Sequence, residues 1–125
     1  MSYRSSPPAR SPSARYNVMP NLYRGEIEAE LGSVRRTLVL TLGALAELEA
    51  AFGAEDLPAL AERFASGRLK ARDLVRIIAA GLRGAGEAVS DDEVAAMTIA
   101  GGAAGYVRIA AELIAATFGE AETRP

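Results

Sequence analysis

The chain has 125 residues, half of them apolar, with 14 basic and 16 acidic groups and no Cys, His or Trp. That length suits one domain with a modest core, and the composition excludes disulfides, thiol nucleophiles and imidazole proton shuttles. No apolar run approaches the roughly 20 residues a membrane helix needs, and the first twenty residues lack the apolar stretch of a secretory signal, so the expectation is a cytoplasmic protein with no membrane partner.

Charge is unevenly spread. Residues 1–21 carry Arg4, Arg10 and Arg15 and no acid, while residues 22–125 carry eleven basic and sixteen acidic groups. An acidic body argues against nucleic acid as a partner, because attraction to phosphates supplies most non-specific affinity. The Ser/Pro-rich segment 1–21 reads as a disordered extension. Composition changes abruptly at Met19, which marks a second candidate start. A single domain is expected over 22–119, with 120–125 as a frayed tail.

The first element is a hairpin. In Glu26-Ile27-Glu28-Ala29-Glu30-Leu31 acidic and apolar residues alternate, the period of a half-buried strand. Gly32-Ser33 reads as a two-residue turn of type II′, with Gly first. The return strand is expected over 34–42, with Leu38, Leu40 and Leu42 on one face. In that register Leu31 faces Val34, Ile27 faces Leu38, and Glu30 faces Arg35 as an ion pair on the solvent side. A lone hairpin is marginal in water, so it must lie on the helices that follow.

Those helices are expected over 43–52, 57–65, 71–82, from Ser90 for a short stretch, and over 103–118. Leu45, Leu48 and Phe52 make the stripe of the first. Asp56 caps the second, Pro58 sits in its first turn, and Leu57, Leu60, Ala61 and Phe64 face inward. In the third, Leu74, Ile77, Ile78, Gly81 and Leu82 form a full apolar face. Ser90-Asp91-Asp92-Glu93 is a capping box for the fourth. The last helix has two apolar faces, Val107, Ala110, Ala111, Ile114 and Phe118 on one and Tyr106, Ile109 and Leu113 on the other. A helix apolar on two sides is central or part of an interface. The fold class is therefore α+β, mostly α, with an N-terminal β-hairpin packed on a bundle of four to five short helices.

Little here can do chemistry. Asp91, Asp92 and Glu93 are the densest acidic cluster, but capping and the helix dipole account for them, and the alternating acids and Gly of a calcium loop are missing. Glu47 and Glu49 are two apart on a helix and point to different sides. Glu26, Glu28 and Glu30 share one strand face, either plainly solvated or an acidic strip for a partner. Gly81-Leu82-Arg83-Gly84-Ala85-Gly86 ends a helix and fails the context of a phosphate loop. Gly101-Gly102-Ala103-Ala104-Gly105 lacks the Lys-Ser/Thr of such a loop. Close packing is the better use of these small residues. No catalytic residue, no cofactor and no metal is expected, and the chain reads as a non-enzyme.

The order of pieces resembles a family. RGEIEAEL (24–31), RRTLVLTLGALAELEAAFG (35–53), LPALAERFASGRLKARDLVRIIAAGLRGAGEAVSDDEVA (57–95) and the long Ala-rich helix ending ATFG (116–119) are similar to the gene transfer agent family. Within it they look like the small protein encoded between the tail tube and tape measure genes, related to phage tail assembly chaperones. TLGALAELE and GLRGAG…SDDEV are the most specific pieces. Lys70 stands where a helix-capping Ser is expected.

The resemblance implies a tail assembly chaperone of a gene transfer agent or prophage. Its partners would be the tape measure protein, the tail tube protein, or both, and it would act without joining the finished particle. The alternative it leaves open is a structural tail protein, tube or connector. One hairpin is little sheet for a tube subunit, which favours the chaperone. Tyr106, Ile109 and Leu113, with the hairpin edge 24–30 and its Glu26, Glu28 and Glu30, are the candidate contacts for a partner. Burial against the core or a second copy of the chain, as a homo-oligomer, is the competing use of the three apolar residues.

Overall fold

The hairpin forms where the alternation places it. In the computed structural model, described for residues 25–119, strand β1 (Glu26–Leu31) pairs antiparallel with β2 (Val34–Val39). Leu31 opposes Val34 and Ile27 opposes Leu38, as the apolar pattern requires. Expectations about residues 1–21, a start at Met19 and the tail 120–125 lie outside the described residues. Five helices follow: α1 (Leu42–Phe52), α2 (Leu57–Ala65), α3 (Ala71–Gly84), α4 (Asp91–Ala95) and α5 (Ala103–Phe118). The fold is α+β and mostly helical.

Three details of the hairpin differ from expectation. The turn has φ of 64° at Gly32 and 69° at Ser33. Positive φ at both central residues is the type I′ pattern, not II′, and it matches the right-handed twist of the flanking strands. The Gly32 amide also donates to the Thr98 carbonyl at 2.9 Å, which ties the turn to the loop between α4 and α5. Next, β2 ends at Val39 rather than at residue 42. Leu40 stays buried, but Thr41 caps α1, its side chain accepting from the Ala44 amide at 3.1 Å, and Leu42 is turned out, 76 % exposed. Finally, Glu30 opposes Arg35 along the backbone, yet Arg35 Nε binds Glu28 Oε1 at 2.9 Å. A long guanidinium reaches the diagonal neighbour as readily as the direct one.

Helix α3 is the centre. It packs against β2, α5, α1 and α4, and six consecutive residues, Ile77 to Leu82, are buried. A helix buried on every side needs small residues wherever another backbone comes close. Gly81 supplies one such place: a Cβ there would stand 2.6 Å from Leu113 Cδ2 and 3.2 Å from Leu38 Cβ. Gly84 supplies another, against the Val39 carbonyl oxygen. These close approaches let α3 run two residues beyond the expected end at 82 and fit between the hairpin and α5.

The remaining core follows the stripes, except that Leu57 at the start of α2 is exposed rather than turned inward. Leu31, Leu38, Leu48, Leu60, Ile77, Ile78, Leu82, Val94 and Leu113 are fully buried, each worth about 1.5–3 kcal/mol relative to exposure. Phe52, Phe64 and Phe118 join α1, α2 and α5 through edge-to-face contacts, with centroids 5.7 Å and 6.0 Å apart. Asp56 Oδ1 caps α2 through the Ala59 amide at 2.9 Å. Ser90 and Glu93 close the expected capping box on α4.

Candidate interaction surfaces

The acidic face of β1 is only partly open. Glu30 is exposed, Glu26 and Glu28 are half-buried, and Glu28 is held by Arg35. Arg36 fixes the hairpin to the helices. Its Nε donates to the Leu31 carbonyl at 3.0 Å and its Nη1 to Glu87 Oε1 at 2.7 Å. The candidate edge begins at residue 24, which lies outside the described residues.

The apolar trio of α5 points inward. Ile109 is 3 % and Leu113 0 % exposed, so neither offers a surface in this fold. Tyr106 is half-buried, and its hydroxyl sits between the carbonyls of Val94 (2.9 Å) and Met97 (3.1 Å). Burial pushes that phenol above its ordinary pKa, so it stays a neutral donor locking α4 to α5. The other face of α5 divides. Ala110 is buried, Ile114 and Phe118 are partly buried, and Val107 and Ala111 are exposed.

The two ends of α3 carry opposite charge. At its N-terminal end an open groove of about 440 Å³ is lined by Arg63, Lys70, Arg72 and Arg76, with Phe52 and Asp73. Asp73 is buried. Its carboxylate accepts from the Lys70 amide at 2.9 Å and stands 3.6 Å from Arg63. The Arg63 guanidinium lies 5.4 Å from the centroid of Phe52. At the C-terminal end Arg83 gathers acids from two other helices. It binds Glu47 at 3.0 Å and Asp91 at 3.3 Å, and donates to the Val89 carbonyl at 2.9 Å. Burial opposes the Arg83 charge, but hydrogen bonds and charge from Glu47 and Asp91 outweigh it and hold its pKa above the usual guanidinium value. Asp92 and Glu93 are exposed beside this cluster.

Sequence reading did not single out the basic groove. Residues 63–76 carry five cations and one acid, whereas the other described residues carry four cations and thirteen acids. A charge count by segment would have found it. Among the described residues no group of three or more His, Cys, Asp or Glu is placed to hold a metal, and no helix is long and apolar enough to cross a membrane.

A family model described as phage tail tube protein, GTA-gp10, matches residues 24–120. The chain belongs to that family. The match spans both strands, all five helices and both charged ends of α3, so every surface above is part of the family's domain. It supports the gene transfer agent and phage tail context. The description names the tail tube, and thereby favours the structural alternative over the chaperone. No curated protein and no solved structure matches the chain.

Proposed function

We propose that this protein is a non-enzymatic structural part of a phage-like tail, of the kind gene transfer agents carry. The observation behind the reading is the family match over nearly the whole folded chain. The fold is compatible with it. A two-stranded sheet leaves one strand edge on each side outside the pairing, and such edges accept further strands from neighbours. Strong segregation of surface charge also suits a part that meets neighbours in a fixed orientation.

One observation favours a second reading, that of an assembly chaperone holding the tape measure or tail tube protein before assembly. Among the described residues the only strands are the two of the hairpin, which is little sheet for closing a tube. Mass spectrometry of purified particles separates the two, combined with a pull-down on co-expressed tape measure protein. Stoichiometric presence in particles is the expected result. Absence from particles together with tape measure binding would replace it by the chaperone.

A further inference from the structure

The cations of this chain divide into two kinds. Outside residues 63–76 the described residues hold four, Arg35, Arg36, Arg83 and Arg108. The first three bind acids at 2.7–3.3 Å. Within residues 63–76 only Arg63 meets an acid, and Asp73 stands 3.6 Å away. Arg68, Lys70, Arg72 and Arg76 make no ion pair among the described residues. Yet Lys70, Arg72 and Arg76 stand with Arg63 along one groove. They gather at the start of α3, where the partial positive charge of a helix N-terminus disfavours cations. The chain is not short of carboxylates: thirteen lie elsewhere in the described residues, and only Asp73 reaches this groove.

We infer that the groove docks an acidic segment of another protein, a short run whose carboxylates supply the counter-charge that this fold leaves out. The inference deepens the reading of the protein as a part that meets neighbours, by naming the chemistry of one of them. Of the five cations in 63–76 four are Arg, and a guanidinium can grip a carboxylate through two parallel hydrogen bonds. Arg63 lies between Asp73 and the Phe52 ring, 5.4 Å from its centroid. That keeps one planar donor in place and gives the incoming segment an apolar wall. The start of α3 adds its own partial charge to the attraction, and Arg68 extends the basic surface past Arg63. Nucleic acid fits less well. A duplex carries one charge for about every 1.7 Å of its axis, and beyond the groove it would run against a body with four cations and thirteen acids. A protein segment can be acidic over the groove alone.

Fluorescence anisotropy on the full chain tests this with three labelled probes. They are a short Glu/Ala peptide, a Gln/Ala peptide of the same length and a single-stranded DNA oligonucleotide. The Glu/Ala peptide is expected to bind about tenfold tighter than the Gln/Ala peptide, and to weaken as salt rises. Lys70→Glu/Arg72→Glu should lower its affinity by about tenfold. Arg108→Glu, at an exposed cation outside the groove, should change it by less than about twofold. Arg4, Arg10 and Arg15 are common to every variant and drop out of the comparison. The double variant places acids where a helix start favours them, so the fold should hold, and circular dichroism checks it. If it does not fold, Arg72→Gln alone, at an exposed position, should still weaken binding several-fold. A Glu/Ala peptide that does not bind, two peptides that bind equally, or a loss that Arg108→Glu reproduces would overturn the inference. So would tighter binding of the oligonucleotide, released by Lys70→Glu/Arg72→Glu, since the groove would then be reading phosphate. Incorporation into particles is scored separately. A wild type that enters particles but ignores the Glu/Ala peptide sinks the groove and leaves the structural reading standing. One that binds the peptide but is absent from particles does the reverse.

Discussion

The two ends of α3 are built on different principles. At the C-terminal end the backbone touches β2 through Gly84, Gly81 admits Leu113, and Arg83 is shared among Glu47, Asp91 and the Val89 carbonyl. Even there one donor, Arg83 Nε, is buried without a partner. At the N-terminal end one buried carboxylate, Asp73, does most of the anchoring, while Lys70 and Arg72 face solvent. The first end is fixed by close packing, with Glu47 and Asp91 held by Arg83. The second is held lightly and keeps its charge available. Stability and recognition are thus divided along one helix.

The hardest way to break that division is at Gly84. A Cβ there meets the Val39 backbone carbonyl, which cannot turn away as a side chain could. Gly84→Ala should destabilise by about 3 kcal/mol, the upper range for overpacking a tight site. Urea unfolding followed by circular dichroism measures it. The same substitution at an exposed helix position would be neutral or favourable, so a cost below about 0.5 kcal/mol would mean that hairpin and helix are not in contact.

Asp73 gives the next largest effect, at the other end. Asp73→Ala removes the acceptor for the Lys70 amide and the ion pair with Arg63. Loss of such a cap costs about 1–2 kcal/mol. It should also loosen the groove, since Arg63 would be left with only Phe52. A shift of the urea midpoint without change in slope is the expected outcome; no shift would show that the end needs no anchor.

What could be read from sequence is what local rules govern. The register of Ile27 against Leu38, the Asp56 and Ser90 caps and the bounds of α5 follow from two or four neighbouring residues. The misses depend on distant partners. Two apolar faces of α5 are equivalent in sequence, and its packing against α3, β1 and β2 decides what is buried. Ile109 and Leu113 were therefore candidates for a partner when they are core. Leu42 is the exception, a local competition: it fits both the strand pattern and, with Thr41, the cap of α1, and the cap at Thr41 prevails and turns it outward. The cations of the basic groove share the segment 63–76, but the Phe52 wall against which Arg63 lies comes from α1 and is not visible in that segment. The preference for a chaperone rested on the small amount of sheet, and sheet content alone does not decide between a part of a tail and its helper.

The smallest effect is also the one that sets stability against recognition. Lys70 stands at the N-cap of α3 with no lone pair to offer the helix amides. The same chain shows the complete arrangement at α4, where Ser90 Oγ accepts from the Glu93 amide at 3.1 Å and Glu93 Oε1 accepts from the Ser90 amide at 2.8 Å. At α3 Asp73 already plays the part of Glu93, so only the hydroxyl is missing. Lys70→Ser should complete the box and stabilise the fold by about 0.5–1 kcal/mol. It should also remove a cation from the groove. A higher urea midpoint for the variant would show that the chain gives up a good cap to keep a charge. An unchanged midpoint would show that the Asp73 half of the box already satisfies the start of α3.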